Sequence, residues 1–166
     1  MTVLGDNNLM MITSHLGHDS RVGDGCTLVN NALVAGHVRL DDGCILSGNS
    51  AIQQRVRVGR LALLGGLGSS TKDIPPFMIQ QGYNCVSGLN LVGLRRSGMA
   101  GFSINALKVA FRVLFKEGRT QCAAIERIEA DLGDVAEVAE LVAFLRASKL
   151  GVSTARGEER ARLSDS

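Results

Sequence analysis

The sequence predicts a mainly β protein, a parallel β-helix followed by a small helical domain, and three observations support this prediction. An aliphatic residue recurs every six positions from Leu4 to Leu64, and all eleven members of this column are Leu, Ile, Val or Met. A second column lies four places further on, from Asn8 to Gly68, and holds small or β-branched residues. The pattern stops at the consecutive prolines of 75–76, which cannot continue a hydrogen-bonded ladder.

A period of six matches neither the α-helix, at 3.6 residues, nor the alternating strand, at two. It is typical of a hexapeptide-repeat solenoid in which three short strands form one coil of 18 residues, which gives about four coils over residues 1–74. The aliphatic column then points inward, and the small column fills the corners. Residues 18 apart stack at the strand spacing of roughly 4.7–4.9 Å. The alternative, an ordinary β-sandwich, requires both columns to arise by accident.

The remainder of the chain divides into three parts. Residues 75–101 form a glycine-rich connector, residues 102–149 a three-helix domain, and the polar residues 150–166 a flexible tail. Capping signals place the helices at 104–117, 121–132 and 135–148, with N-terminal caps at Ser103, Thr120 and Asp134, the last in a capping box with Glu137.

Composition excludes several classes of protein. With 166 residues, a net charge of +2 and 4% aromatic residues, the chain lacks the basic excess and the stacking side chains of a nucleic-acid binder. No apolar run approaches 18 residues, so we expect no integral membrane segment, and the first residues do not resemble a secretory signal. Four irregularly spaced cysteines indicate no disulfide framework, which favours the reducing cytoplasm.

Stacking at 18 residues places chemically useful groups side by side. His18, Gly36 and Gln54 fall in one column, and His37 falls in the next. A surface imidazole has a pKa suited to a general base. A glycine one coil away allows its backbone N–H to approach a reacting carbonyl, as an oxyanion donor must. This pairing suits acyl transfer from a thioester to a hydroxyl or an amine.

Two other interpretations of the histidines remain open. In the first, the histidines are ordinary surface residues. In the other, His15 and His18, three residues apart, hold a metal ion across subunits, but no carboxylate or cysteine set completes such a site, so we expect no metal. Cys26 and Cys44, which are 18 apart, are interpreted as buried thiols that act as small hydrophobic residues.

Two further surface features have both a functional and a structural interpretation. Gly48 and Gly66 leave two successive coils without a side chain, a lane of roughly 10 Å that seats an acyl chain or reflects tight turns only. Basic residues also recur every four positions on the first long helix. This basic stripe is either a solvated face or a docking surface for an acidic or phosphorylated partner, and it consists of Lys108, Arg112 and Lys116, with Arg95 and Arg96 before it.

Three segments, HLGHD at 15–19, NNALVAGH at 30–37 and NLVGLRR at 90–96, resemble the acyl-[acyl-carrier-protein]–UDP-N-acetylglucosamine O-acyltransferase family of lipid A biosynthesis. The resemblance covers about residues 4–148. It implies a left-handed β-helix and a homotrimer with active sites between subunits. It also implies transfer of a 3-hydroxyacyl group from acyl carrier protein to the sugar 3-hydroxyl, without a further cofactor.

The resemblance also implies roles for individual residues. His18 matches the catalytic base and Gly36 the oxyanion-hole glycine. His15 and His37 match residues near the sugar and the thioester, and Gln54 matches a substrate contact. Asn90 and Arg96 match contacts to the nucleotide and the carrier protein, and Gly66 falls where the family sets acyl length. Gly48 is expected to line the acyl groove with Gly66.

The sequence departs from the family pattern at several points. Gln53 replaces a histidine, Val92 a glutamate and Ser97 an arginine, and the chain opens at Leu4 as though partway along the β-helix. These departures weaken the prediction of nucleotide recognition more than that of acyl transfer. They leave two alternatives, the same chemistry on another nucleotide sugar and a truncated, non-catalytic β-helix scaffold.

Overall fold

A computed structural model describes residues 1–155 and shows three parallel sheets arranged as the faces of a prism. The first face consists of β1 (Val3–Leu4), β4 (Arg21–Val22), β7 (Arg39–Leu40) and β10 (Arg57–Val58). The second begins with β2 (Leu9–Met10), β5 (Thr27–Leu28), β8 (Ile45–Leu46) and β11 (Leu63–Leu64). The third contains β3 (His15–Leu16), β6 (Leu33–Val34), β9 (Ala51–Ile52) and β12 (Ser69–Ser70).

Strand register confirms the predicted coil of 18 residues. Every parallel pair among the twelve strands β1–β12 joins residues 18 apart, as Leu28 with Leu46 and Val34 with Ile52 show. The aliphatic column points inward and is at most 4% exposed from Val22 to Leu64. The corner column is buried as well, from Ser20 to Ala62. The solenoid core is therefore aliphatic, as the composition requires.

Each corner is formed by a residue in the left-handed backbone region. Positive φ angles of 56–67° recur every six residues from Asn7 to Leu67. Asparagine, aspartate and glycine tolerate this conformation best, and they occupy most of the corners. His37 (φ 60°) and Asp19 (φ 57°) also lie at such positions, so the tight turn itself directs the side chains of the candidate site.

The connector is more structured than the sequence predicts. Strand β13 (Met78–Gln81) continues the second face, and β14 (Cys85–Leu89) pairs with it antiparallel. The helices are α1 (Leu91–Arg96), α2 (Gly101–Phe115), α3 (Gln121–Leu132) and α4 (Ala136–Arg146). None of the helices within residues 1–155 combines the length and the apolarity needed to cross a membrane.

Two of the three predicted caps are wrong. Thr120 caps α3 as expected, with its hydroxyl accepting from Ala123 N–H. Ser103, by contrast, is buried inside α2, and that helix starts after Ala100, which makes no side-chain cap bond. Helix α4 starts after Val135 without a capping box. Packing of the apolar helix faces against one another and against β14 sets these starts, because a cap contributes only about 1 kcal/mol.

Two arginines of the solenoid hold α4 against its last coils. The Arg57 guanidinium lies 4.2 Å from the centre of the Phe144 ring. Arg60 forms a two-pronged ion pair with Glu140, with an Nη2–Oε2 distance of 2.8 Å. The hydrogen bond that Arg60 donates to the Glu140 carboxylate raises the pKa of Arg60 above its usual value. These contacts fix the helical domain relative to the β-helix.

The prediction of a flexible tail from residue 150 is wrong for residues 152–155. Strand β15 (Thr154–Ala155) adds to the second face beside β14, and Val152 bridges to Asp73. The Asp73 carboxylate accepts from Arg57 N–H and from the Ser148 hydroxyl, both at 2.8 Å. This segment therefore packs over the end of the solenoid. The rest of the predicted tail, 156–166, lies outside the described residues.

We expect Asp73→Ala to lower the free energy of unfolding by about 1–3 kcal/mol, because it removes a buried acceptor from two donors. Urea denaturation followed by circular dichroism measures the change. Asp134→Ala is the matched control, since Asp134 is exposed and we expect no measurable loss. Equal stabilities for the two variants would show that Asp73 does not fasten the C-terminal segment.

Candidate active site

His18 and Gly36 meet at the corner between the third and first faces. A Cβ atom placed on Gly36 would lie 2.7 Å from Nε2 of His18 and 2.9 Å from its Cε1. The imidazole therefore lies directly over the glycine, and a side chain at position 36 would displace it. The structure brings together the two residues to which the sequence assigned the catalytic roles.

Asp19 orients the His18 ring. Its Oδ2 lies 2.9 Å from Nδ1 of His18, and a carboxylate only accepts, so in the neutral ring Nδ1 carries the proton and Nε2 keeps its lone pair. The His18 side chain is 75% exposed, which leaves Nε2 accessible to a substrate. Hydrogen bonds from the N-terminal amine of Met1 and from His18 lower the pKa of Asp19 to about 2. The HLGHD segment contains this carboxylate, but the sequence pattern gave it no predicted role.

The Gly36 peptide is held by the neighbouring coils. Its carbonyl accepts from Arg55 N–H at 3.1 Å, and the next amide, His37 N–H, donates to the His18 carbonyl at 2.9 Å. Within residues 1–155 no hydrogen-bond acceptor faces the Gly36 N–H. An amide fixed in place without a partner has the properties of a preorganised oxyanion donor.

His37 extends the site along the corner. Its ring meets that of His18 edge to face, with centroids 5.0 Å apart and planes at 84°. Gln54 is exposed one coil beyond Gly36, in the same column. His15 lies apart from this group, on β3 opposite Leu33. The two histidines of the HLGH segment, His15 and His18, therefore do not lie together in one site.

The glycine lane lies at a different corner. A Cβ on Gly48 would come no closer than 3.5 Å to Asn30 O, and one on Gly66 no closer than 3.6 Å to Gly48 O, so the lane has room for a ligand. It borders the third face on the side opposite His18. The exposed side chain of Leu33 lies on that face between the two corners. An acyl chain that extends from His18 to the lane at Gly48 and Gly66 must therefore cross the third face.

Asn90 and Arg96, the two residues at α1 that were expected to contact substrate, differ in how accessible they are. Asn90 is 4% exposed, accepts from Gly93 N–H at 3.0 Å and donates to Leu61 O at 2.9 Å. Its amide caps α1 and ties it to the solenoid, so it has little capacity for a nucleotide. Arg96 is exposed in the last turn, and within residues 1–155 no carboxylate pairs with it.

The basic stripe on α2 is also accessible. The Lys108 ammonium donates to the Asn105 amide oxygen at 3.4 Å, and Arg112 lies 3.7 Å from Glu117. Both side chains are exposed, as is Lys116. The stripe keeps most of its positive charge free for a partner.

The architecture defines a hexapeptide-repeat β-helix with a helical domain appended, and comparison with known proteins identifies the relatives of this chain. Residues 73–153 match the family described as UDP N-acetylglucosamine O-acyltransferase, domain 2. An acyl-[acyl-carrier-protein]–UDP-N-acetylglucosamine O-acyltransferase of Burkholderia orbicola is 40% identical over 161 residues, and one of Anaeromyxobacter dehalogenans is 36% identical over 154. In each case the match covers 92% of this chain and 60% of the relative.

Solved structures agree with these relatives. The UDP-N-acetylglucosamine acyltransferase structure from Acinetobacter baumannii superposes with a TM-score of 0.85 at 35% identity, over 92% of this chain and 59% of that one. The fold is therefore a left-handed β-helix, as expected. The family resemblance is confirmed: the chain is homologous to the acyl-[acyl-carrier-protein]–UDP-N-acetylglucosamine O-acyltransferases, and it spans about 60% of their length.

Proposed function

We propose that the protein transfers a 3-hydroxyacyl group from acyl carrier protein to the 3-hydroxyl of UDP-N-acetylglucosamine. The observation that supports this most strongly is the placement of the His18 imidazole over Gly36, with Asp19 bonded to the far ring nitrogen. The names of the homologous proteins supply the reaction.

In the proposed mechanism, Nε2 of His18 removes the proton from the acceptor hydroxyl. The hydroxyl oxygen attacks the thioester carbonyl, and the Gly36 N–H donates to the resulting oxyanion. When the intermediate collapses, the carbon–sulfur bond breaks and the imidazolium returns its proton to the departing thiolate. Asp19 stabilises the imidazolium through Nδ1. His37 and Gln54 line the approach to the corner.

The donor is proposed to dock on the helical domain. Arg96, Lys108 and Lys116 are exposed and form no ion pair within residues 1–155, so their positive charge attracts an acidic carrier and its phosphate-bearing prosthetic arm. Gly48 and Gly66 are proposed to seat the acyl chain. No cofactor is required, because the thioester itself supplies the activated acyl group.

The proposal includes a homotrimer, with clefts between subunits, and a cytoplasmic location. The exposed side chain of Leu33 on the third face is suited to contact with a partner subunit. The four cysteines are free thiols in the structure, in keeping with a reducing compartment.

A direct assay tests the proposed reaction. The protein is incubated with 3-hydroxyacyl carrier protein and UDP-N-acetylglucosamine, and mass spectrometry follows the acylated sugar and the free carrier thiol. Equal formation of both products supports the proposal. A folded protein that acylates no nucleotide sugar would favour the non-catalytic scaffold instead.

Two observations favour a second acceptor. Asn90 is used to cap α1, and Val92 is 58% exposed where the family pattern has a glutamate. Both weaken recognition of the uridine nucleotide. An amino-sugar nucleotide in the same assay distinguishes the two acceptors, because the preferred one gives the higher kcat/KM.

A further inference from the structure

The corner that carries His18 has a second chemical property. We propose that His18, Asp19 and His37 together bind a divalent transition-metal cation of the Zn²⁺ class. One ligand atom from each residue lies within 4.8 Å of the other two. No other group of this kind occurs within residues 1–155.

The local fold builds this cluster. Asp19 follows His18 directly, and His37 lies one coil above Asp19, since the coil repeats every 18 residues. Both Asp19 and His37 take the left-handed corner conformation, which directs their side chains from the same corner position. The contact between the two rings and the 2.9 Å bond from His18 to Asp19 show that the three side chains already face one another.

The ligand set fits the ion. Two imidazoles and one carboxylate, with a water in the fourth position, form a common Zn²⁺ coordination, with bonds of about 2.0–2.1 Å. Tetrahedral bonds of that length place donor atoms about 3.3 Å apart, so the cluster must close by about 1.5 Å or less. All three side chains are exposed and have room to make this movement.

The HLGH spacing suggested a different pair and led to the expectation of no metal. His15 lies on the flat third face and does not belong to the cluster. The carboxylate absent from that reasoning is Asp19, the next residue after His18. Only the coil geometry identifies His37 as the second imidazole.

A metal ion here would inhibit the proposed reaction, and this part alone rests on the proposed function. If the ion binds Nε2 of His18, it takes up the lone pair that removes the proton. If it binds Nδ1, it replaces the proton that Nδ1 shares with Asp19. In either case the imidazole no longer acts as an oriented base. Zn²⁺ should therefore lower the rate of acyl transfer with the same concentration dependence as its binding.

Metal binding is measured without reference to activity, on the complete chain with any purification tag removed. Co²⁺ is titrated while its visible absorption is recorded, and Zn²⁺ is then added in competition with a chromophoric chelator. We expect one equivalent to bind, with at least tenfold weaker affinity in His18→Gln and in His37→Gln. Asp19→Asn should weaken binding in the same direction.

His15→Gln is the matched control, because it removes an imidazole outside the cluster and should leave metal affinity unchanged. Cys122→Ser controls for the exposed thiol. The inference is overturned if His37→Gln binds as tightly as the parent protein, or if the Co²⁺ spectrum shows thiolate charge transfer that disappears in Cys122→Ser. Binding that persists in a protein without acyl transfer would refute the proposed function and leave the metal site standing.

Discussion

Replacing His18 by alanine is expected to lower the rate of acyl transfer by roughly 10²- to 10⁴-fold, the usual contribution of a general base. The imidazole is the group over Gly36 that has a free nitrogen lone pair, and Asp19 holds it in the required tautomer. The loss should appear in kcat rather than KM. The side chain is 75% exposed and contributes little to the core, so the variant should retain the parental fold.

Asp24→Ala is the matched control for this variant. Asp24 holds the same position as His18 at the next corner of the coil, six residues further on, and it is exposed. Its replacement should leave the rate within about twofold, because it touches no proposed substrate group. If His18→Ala retained the parental rate while folded, the mechanism proposed above would be wrong.

Leu46→Ala is expected to lower the free energy of unfolding by about 2–5 kcal/mol. Leu46 is fully buried and stacks between Leu28 and Leu64 of the adjacent coils. The truncation therefore leaves a cavity in addition to the lost apolar burial.

The neighbouring residue provides the comparison. Ile45→Ala removes the same number of carbon atoms from the same strand, but Ile45 faces outward and is only half-buried. We expect it to cost less than half as much in urea denaturation. A larger loss for Ile45 than for Leu46 would mean that the aliphatic column does not point inward.

The solenoid was predictable because its information is local and repeated. Each hexad places one aliphatic residue inside and one small residue at a corner, so eleven successive hexads test the same rule. The C-terminal elements lack such repetition. The β13–β14 hairpin, α1 and β15 form through contacts distant in sequence, such as that between Val152 and Asp73, which no local pattern indicates.

The candidate site was predictable to the extent that it follows from stacking. The 18-residue coil places His18 beside Gly36 without further information. The orientation of Asp19 depends on the corner conformation, which the presence of asparagine, aspartate or glycine at six of the eleven corners could have indicated. The role of Asn90 was not accessible in this way, because its amide is engaged by Gly93 and by the distant Leu61.

A crystal structure of the protein with its acylated nucleotide sugar tests the central claim most directly. We predict that the sugar 3-oxygen lies within about 3.2 Å of His18 Nε2 and the ester carbonyl oxygen within about 3.1 Å of the Gly36 nitrogen. An ester bound at another face of the prism, with the His18–Gly36 corner open to solvent, would contradict the account.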